Sequence, residues 1–348
     1  MKFGLHFLLS CTREQTPRQL YRDAIEQCVL GESLGFESAW PVEHHFNQRV
    51  SSLSAPSLLL AAIAERTEHM RLGTAIVQLP LTHPLRVAEE LATLDVLSNG
   101  RVEFGVGRGS NPTHFAGYGM PVADSRERLS EGLEFIRAAW MQERFSFEGK
   151  FWQAKHLALV PRPIQTPHPR IHVAANSPDT ATFAGRAGYS AMFAAHVNPF
   201  PKLSELLAIY RNARREAGHA EATPEDVTLL MPTYVAPTLQ QVRDEFEPSV
   251  AHAAQLAASL MELAIKNSTS DAELAKLLPL LEHLRSLDFE KVQQLMGVVG
   301  TPTQIRERFA QIEREFNPGR VIAWFNYGGL VSHAQATQSM ALFAKTLW

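Results

Sequence analysis

A carboxylate and two adjacent histidines follow an apolar run near the start of the chain, in the segment Glu43-His44-His45. Imidazole titrates near neutral pH and can donate a proton to, or accept one from, a developing oxyanion or peroxide. We therefore predict Glu43, His44 and His45 as catalytic residues, with packing or capping as the alternative role for one histidine. A metal site would need more ligands, and His83 is the further candidate, so no metal site is predicted.

A glycine-rich loop, Gly105-Val106-Gly107-Arg108-Gly109, offers a second kind of chemistry. Glycine lets the backbone approach a ligand closely, and arginine forms fork-like contacts to phosphate. The loop is not a dinucleotide fingerprint, because its third glycine comes one residue early. In addition, Asn111-Pro112 argues against a helix that starts at once.

A third segment, Asn176-Ser177-Pro178-Asp179-Thr180, has the signature of a helix start. Ser177 is the predicted N-cap and Pro178 the first helical residue, with the helix ending near Gly185 or Gly188. Free backbone amides and the positive end of the helix dipole suit a phosphate, and the hydroxyls of Ser177 and Thr180 add donors. Asp179 must then point away from the anion. Alone the segment could be a plain cap, but with Arg108 it indicates a phosphate site.

Eight apolar runs have the near-continuous hydrophobicity of parallel strands that are covered on both faces. They are residues 2–8, 36–40, 71–77, 102–106, 170–174, 191–195, 228–235 and 320–325. Helical patterns lie between them, for example residues 17–34, 84–97, 124–140 and 302–316.

The order of strand and helix predicts a parallel β/α barrel, the TIM (β/α)8 fold. Thr16-Pro17 and Thr301-Pro302 place a capping hydroxyl before a first-turn proline, and residues 97–100 supply a helix stop. A doubly wound open sheet is the alternative. In a barrel, the three candidate segments all follow strands and meet at the C-terminal face, where barrel enzymes carry their active sites.

Two regions break the spacing. Residues 141–169 are rich in aromatic residues and prolines, which predicts an extended or hairpin-like excursion. Residues 237–300 are far longer than an ordinary connection, and segments 239–265 and 271–296 have helical patterns. We expect one barrel domain over residues 1–348, with 237–300 as a helical insertion. This insertion is a candidate lid, or else a helical decoration or oligomer contact.

The overall composition excludes some classes of function. The 348 residues carry a net charge of −3 without long runs of one sign, which does not favour nucleic acid or an anionic membrane as a partner. The two cysteines, Cys11 and Cys28, fit a reducing compartment rather than a disulfide framework. The start of the chain lacks the pattern of a signal peptide, and no apolar stretch reaches the roughly 18 residues of a membrane span. We expect a cytoplasmic protein.

These motifs, in this order, resemble the bacterial luciferase-like flavin monooxygenases, and in particular the catalytic luciferase α subunit. The resemblance rests on Met1-Lys2-Phe3-Gly4, Glu43-His44-His45-Phe46, Gly73-Thr74-Ala75, the stretch from His83 to Glu90, Ser98-Asn99-Gly100-Arg101, the Gly105–Gly109 loop and the segment that opens Gly300-Thr301-Pro302-Thr303-Gln304. It covers about the first 190 residues and residues 300–316, and implies a barrel of the luciferase-like type.

The resemblance implies a role for each candidate residue. His44 would be the catalytic histidine beside the flavin, where it supports formation or decay of the flavin 4a-hydroperoxide, with His45 as a second polar neighbour. Arg108 would hold the FMN phosphate, and Asn176, Ser177 and Thr180 would complete that site. Ala75 and Ile76 fall where the family has a non-prolyl cis peptide under the isoalloxazine ring.

The function that the resemblance implies is a two-component monooxygenase. Reduced FMN comes from a separate flavin reductase, O2 reacts with it, and a small organic substrate is oxygenated; the family also implies a homodimer. Gly107 replaces a reactive cysteine of the luciferase α subunit, which argues against light emission. A deazaflavin-dependent hydride-transfer oxidoreductase and a non-catalytic flavin-binding subunit are the alternatives. Candidates to line an apolar pocket, or else to belong to the core, are Phe46, Phe115, Tyr118, Phe193 and the aromatic residues near 145–152.

Overall fold

Parallel strands form the centre of the protein. The computed structural model describes residues 1–12, 15–267 and 271–348. The strands are β1 (Lys2–Phe7), β2 (Ser38–Pro41), β3 (Arg71–Gly73), β4 (Val77–Gln78), β5 (Val102–Gly107), β6 (Phe145–Glu148), β7 (Gln153–Leu157), β8 (Arg170–Ala174), β9 (Ser190–Ala194), β10 (Val227–Val235), β11 (Val298–Gly300) and β12 (Arg320–Trp324).

The sheet closes on itself. Its strands pair in the order β1, β2, β3, β5, β8, β9, β10 and β12, and β12 pairs with β1 in parallel. The predicted eight-stranded parallel barrel is therefore confirmed, and the doubly wound open sheet is wrong. β4 extends the barrel beside β5, and β11 pairs with the end of β10.

Helices surround the barrel and connect its strands. They are α1 (Pro17–Ser33), α2 (Pro56–Ala64), α3 (Pro84–Leu97), α4 (Pro112–Gly117), α5 (Ser125–Met141), α6 (Pro178–Arg186), α7 (Phe200–Glu216), α8 (Leu239–Asn267), α9 (Asp271–Arg285), α10 (Phe289–Lys291), α11 (Pro302–Phe316) and α12 (His333–Leu347). Most begin with a proline at or near the first turn, where its missing N–H costs nothing.

The helix ends follow the predicted capping chemistry. The hydroxyl of Thr16 accepts from the backbone N–H of Gln19 at the start of α1. At the end of α3, Asn99 and Gly100 have positive φ angles of 53° and 80°, which stop the helix before β5. The predicted bounds of α3 and α11 match the structure, those of α1 differ by one residue at its end, and those of α5 are shifted by one residue at both ends.

Three details of the sequence prediction are wrong. The run 71–77 is two short strands, β3 and β4, because a cis peptide between Ala75 and Ile76 interrupts the ladder. The segment 271–296 is not one helix, because α9 ends at Arg285 and Asp288 caps a new turn at α10. Asn111-Pro112 does start a helix at once, since the Asn111 side chain caps α4 and proline occupies its first position.

The excursion predicted within residues 141–169 is an antiparallel hairpin of β6 and β7, in which Phe145 pairs with Leu157. The long connection after β10 contains α8 and α9, as its helical patterns predict. Among the described residues, no helix is long and apolar enough to cross a membrane.

Alternate residues of each strand point into the barrel. Trp40 on β2 is fully buried there, and a Cβ added to Gly73 on β3 would lie 2.2 Å from its ring. At the N-terminal end of the barrel, Glu103 accepts from His172 Nε2 at 2.6 Å and from Arg320 at 3.4 Å. Burial alone would raise the pKa of Glu103, but the contacts with His172, Arg320 and Arg71 outweigh it and lower that pKa. This ion-pair layer fills the N-terminal end of the barrel and leaves ligand binding to the opposite end.

Candidate active site

The candidate residues lie at one end of the barrel. Glu43 follows the end of β2, Arg108 follows β5, and Asn176 follows β8, and these parallel strands all run in the same direction. Each candidate segment is therefore at the C-terminal face, as the barrel prediction requires. His83 is used elsewhere, because its Nδ1 accepts from the backbone N–H of Leu85 and caps α3.

Glu43 and His45 form a buried polar pair. Their side chains are 12% and 5% exposed, and His45 Nε2 donates to Glu43 Oε1 at 3.0 Å. The other carboxylate oxygen of Glu43 accepts from the backbone N–H of Gln78 at 3.3 Å. Since Nε2 carries the proton, His45 Nδ1 accepts from the hydroxyl of Tyr118 at 3.3 Å. The pair is held in one orientation from both sides.

His114 was not singled out from the sequence, yet the structure places it between the two histidines. Its ring lies 4.4 Å from the ring of His44 and 5.2 Å from that of His45, nearly perpendicular to both. Its Nε2 accepts from the backbone N–H of His45, so its proton sits on Nδ1 and is donated to Gln78 Oε1 at 3.0 Å. Burial and the neighbouring His45 lower the pKa of His114 to about 4, so the ring is neutral at pH 7.

His44 differs from His45 in having a free nitrogen. Its backbone N–H donates to the carbonyl of Leu53, but its Nδ1 is buried without a hydrogen-bond partner in the part of the chain that the structure describes. Burial, followed by the positive charges that His114 and His45 would carry, lowers the pKa of His44 to about 4. A neutral imidazole with one unpaired nitrogen can hold or accept a proton for a bound molecule.

Aromatic residues stand at the outer edge of this cluster. Phe46 is 62% exposed and has a φ of 62°, which is rare for a bulky residue. Its ring lies 5.7 Å from that of Tyr118 and fills the space beside Gly117, where an added Cβ would lie 2.2 Å from Phe46 Cε2. Of the candidate pocket aromatics, Phe46 and Tyr118 are exposed at this edge, whereas Phe115, Phe193, Phe145 and Trp152 are buried.

Glycines of β5 pack against the segment between β3 and β4. The cis peptide predicted at Ala75-Ile76 is present. Next to it, a Cβ on Gly105 would lie 1.7 Å from the carbonyl oxygen of Thr74, and one on Gly107 would lie 2.3 Å from Ile76 Cδ1. The glycines therefore let β5 pack directly against the cis segment. The assignment of Ala75 and Ile76 to a flavin site stays a prediction.

The candidate phosphate residues follow β5 and β8. The guanidinium of Arg108 has no hydrogen bond or ion pair among the described residues. Ser177 and Thr180 form a capping box at the start of α6, with Ser177 Oγ accepting from the backbone N–H of Thr180 at 3.3 Å. Asp179 forms an ion pair with Arg126 on α5, which neutralises its charge beside the helix start.

Asn176 has a structural contact that the sequence did not reveal. Its Oδ1 accepts from the backbone N–H of Ala194 at 2.8 Å, and its own carbonyl accepts from Asn198 Nδ2 at 3.0 Å. These bonds tie the end of β8 to the end of β9. The amide NH2 of Asn176 remains able to donate to a ligand.

Comparison with known proteins identifies the class. The family model for luciferase-like monooxygenases matches residues 1–316, so the chain belongs to that family. The crystal structure of monooxygenase RslO1 from Streptomyces bottropensis has a TM-score of 0.84 and 30% identity, covering 100% of this chain and 98% of that one. The fold and the family predicted from the motifs are thereby confirmed.

Two curated relatives of this chain use different cofactors. The oxygenase component of a flavin-dependent trigonelline monooxygenase from Acinetobacter baylyi is 32% identical over 239 residues, 68% of this chain and 65% of that protein. The match thus leaves about a third of that relative uncovered. An F420-dependent glucose-6-phosphate dehydrogenase from Amycolatopsis mediterranei is 34% identical over 173 residues, 48% of this chain and 51% of that protein. Flavin-dependent and F420-dependent oxidoreductases are therefore both among the relatives.

Proposed function

We propose that the protein is the oxygenase component of a two-component monooxygenase, which uses reduced FMN and O2 to oxygenate a small organic substrate. The observation that carries the proposal is the pairing of two free groups at one end of the barrel. His44 offers a buried, unpartnered Nδ1, and Arg108 offers a guanidinium without an ion pair in the described chain. In flavin mononucleotide, the edge of the ring system would contact His44 and the phosphate would contact Arg108.

The residues present fit such a cofactor. Arg108 would hold the phosphate together with the hydroxyls of Ser177 and Thr180 and the first amides of α6. When bound, reduced FMN supplies the electrons that activate O2. Neutral His44 would hold or move a proton at the ring edge, while the Glu43–His45 pair keeps the segment that carries His44 rigid. Phe46 and Tyr118, and the helices within residues 237–300 as a lid, would exclude water.

A second candidate function is hydride transfer with a deazaflavin cofactor. The F420-dependent relative supports it, because that protein is 34% identical to this chain over 173 residues. The segment Glu43-His44-His45 favours the FMN reading, as its resemblance to the luciferase α subunit implies. The two functions differ in one measurable respect, since only the oxygenase needs to react with O2 productively.

The partners follow from the proposal. The trigonelline monooxygenase relative is an oxygenase component, which supports a separate flavin reductase as the source of reduced FMN for this protein. A homodimer is supported by a groove of about 520 Å³ that is lined by α2 and α3 and extends to Glu43, His45 and Tyr118; at its rim, Leu58 and Leu97 are 72% and 54% exposed. Exposed apolar side chains on adjacent helices are typical of a protein–protein interface. The cytoplasmic location stays a prediction.

Rapid mixing tests the function. The complex of the protein with photoreduced FMN is mixed with oxygenated buffer, and the flavin absorbance is followed. A transient band that outlives the one seen with free flavin supports the oxygenase. Reoxidation at the free-flavin rate despite confirmed binding contradicts it, and tight binding of F420 with hydride transfer would then establish the second candidate.

The variant His44→Ala shows whether this histidine takes part. It should bind reduced FMN with unchanged affinity, but the transient band should have a shorter lifetime, because the imidazole that holds the proton at the ring edge is absent. His69→Ala is the matched control, since the side chain of His69 is 87% exposed and outside the site. An unchanged lifetime in His44→Ala would remove His44 from the mechanism.

A further inference from the structure

A second group of polar side chains lies in the barrel mouth and plays no part in the cofactor site described above. His6 is on β1, Trp324 ends β12, and His196 follows β9. Residues two apart on a strand face the same side. His6 shares the inward face of β1 with Gly4, whose added Cβ would meet Trp40 inside the barrel, and Trp324 shares that of β12 with Arg320, which lies over the Trp40 ring.

These three side chains have buried polar atoms without partners. His6 Nδ1, His196 Nδ1 and Trp324 Nε1 all lack a hydrogen bond within the described residues. Leaving a buried donor or acceptor unpaired costs roughly 1–3 kcal/mol per group. Folded proteins keep few such groups, so three of them together call for a partner that is not part of the chain.

Ring contacts hold the group in place. The Trp324 ring lies 4.8 Å from His6, 5.1 Å from His196 and 4.9 Å from Tyr327, with all three contacts edge-to-face. The loop that carries Tyr327 is itself fixed to α8, because Ser249 Oγ donates to the carbonyl of Tyr327 at 2.6 Å. The three free nitrogens therefore belong to a rigid wall rather than to mobile side chains.

The absence of charge on His6 and His196 bears on the kind of ligand that could bind these nitrogens. Burial, then the neighbouring His196, lowers the pKa of His6 to about 3, and burial lowers that of His196 to about 4, so both rings are neutral. Arg320 is four residues before Trp324, about 13 Å along the strand, and is paired with Glu103. An anion would find no counter-charge at this wall, and an apolar group would leave the nitrogens unpaired.

We propose that His6, His196 and Trp324 form the polar end of the substrate pocket and bind an uncharged carbonyl or hydroxyl oxygen on an otherwise apolar substrate. Trp324 Nε1–H donates to this oxygen, because indole nitrogen can only donate. The imidazole nitrogens donate to the same oxygen or accept from a hydroxyl. The proposal rests on the proposed oxygenase function, for which this would be the specificity-determining wall.

Matched ligand trios provide the test. The FMN-loaded, 15N-labelled protein is titrated with acetophenone, ethylbenzene and benzoate, which share a ring but carry a carbonyl, no acceptor or a charge. A second trio is 2-acetylnaphthalene, 2-ethylnaphthalene and 2-naphthoate. The readout is the indole N–H signal of Trp324, assigned by its loss in Trp324→Phe. A ketone should shift this signal and bind about two- to tenfold more tightly than its ethyl analogue for each hydrogen bond formed.

Variants separate a specific contact from general packing. His6→Phe and Trp324→Phe should each reduce the preference for the ketone over the ethyl analogue. Trp152→Phe, which removes a buried indole beside α5 and away from the mouth, should keep the preference. The wild-type titration needs no variant, so poor folding of one variant does not decide the outcome.

The outcomes are distinct. If no ketone shifts the Trp324 signal, or if the carboxylates bind as well as the ketones, water alone satisfies these nitrogens and the proposal is overturned. Flavin binding and the transient absorbance are recorded on the same samples. Ketone binding without that transient would contradict the oxygenase function and leave the binding wall standing, whereas the transient without ketone binding would do the reverse.

Discussion

The buried histidines of the barrel mouth predict a steep loss of stability in acid, and His6 allows the effect to be isolated. The pKa of its ring falls from 6.5 to about 3 on folding, mainly because burial penalises the charged form and His196 adds repulsion. A native pKa below the unfolded one means that the unfolded chain binds the extra proton. The contribution of His6 to the free energy of unfolding is therefore full above about pH 6.5 and declines as the pH falls towards 3.

The magnitude follows from proton linkage. Between about pH 6.5 and 4.5, the unfolded histidine goes from about half protonated to almost fully protonated while the native one stays neutral, which removes about 2 kcal/mol from the free energy of unfolding. His44, His114 and His196 act in the same direction over a similar range, because burial lowers the pKa of each to about 4. Replacing His6 by phenylalanine keeps a ring against Trp324 and removes the titrating group.

Urea denaturation at the two pH values measures the effect. The variant His6→Phe should lose about 2 kcal/mol less than the wild type between about pH 6.5 and 4.5. The control is His69→Phe, whose side chain is 87% exposed in the folded protein, so folding changes its solvation little. An equal acid loss in His6→Phe and the wild type would show that His6 is protonated in the folded state, and would refute the argument.

Three further predictions concern the site and the insertion. Arg108→Ala should weaken FMN binding by about ten- to a hundredfold, which is the contribution of a charge-assisted contact to phosphate, but should leave the binding of riboflavin, which has no phosphate, unchanged. Equal FMN affinity of the variant and the wild type in a fluorescence titration would exclude Arg108 from the phosphate site. Glu43→Gln should lower the free energy of unfolding by about 1–3 kcal/mol, because its partner His45 is buried. Glu68→Gln, which changes the exposed pair with His69, should have little effect on that free energy, and similar urea midpoints for the two variants would contradict this prediction. Ser249→Ala should speed hydrogen exchange in α8, because Ser249 Oγ donates to the Tyr327 carbonyl and accepts from the Leu330 N–H. Ser259→Ala should not, because within the described residues Ser259 Oγ bonds only inside its own helix. Unchanged exchange in Ser249→Ala would show that α8 is held by other contacts.

The barrel could be read from local patterns because each of its parts is encoded within a few residues. A buried parallel strand shows as a short apolar run, and the starts of α1 and α11 show as a threonine before a proline. α2, α7 and α12 are not among the helical patterns given as examples from the sequence, although Ser332 and Gln335 form a capping box at α12. The apolar α2 has no side-chain cap and little contrast between its faces, so its local signal is weak.

The site was predicted only in part because its contacts join distant segments. The glycine-rich loop, the paired histidines and the start of α6 have recognisable local patterns, and all three lie at the C-terminal face. His114 has none, since its role depends on the backbone N–H of His45, 69 residues away. His114 lies on α4, and the sequence does not predict this helix because Asn111-Pro112 argues against an immediate helix.

The sequence by itself therefore determined the alternation of parallel strands and helices, the family resemblance and the segments that follow the strands, because apolar runs, caps and glycines act on their own neighbourhood. Only the tertiary structure decided which nitrogens are satisfied and which are free. His45 and His114 are paired, whereas His44, His6, His196 and Trp324 each keep a buried polar atom without a partner among the described residues. Burial and hydrogen bonding depend on every element packed around a side chain, so no single segment of the sequence contains them.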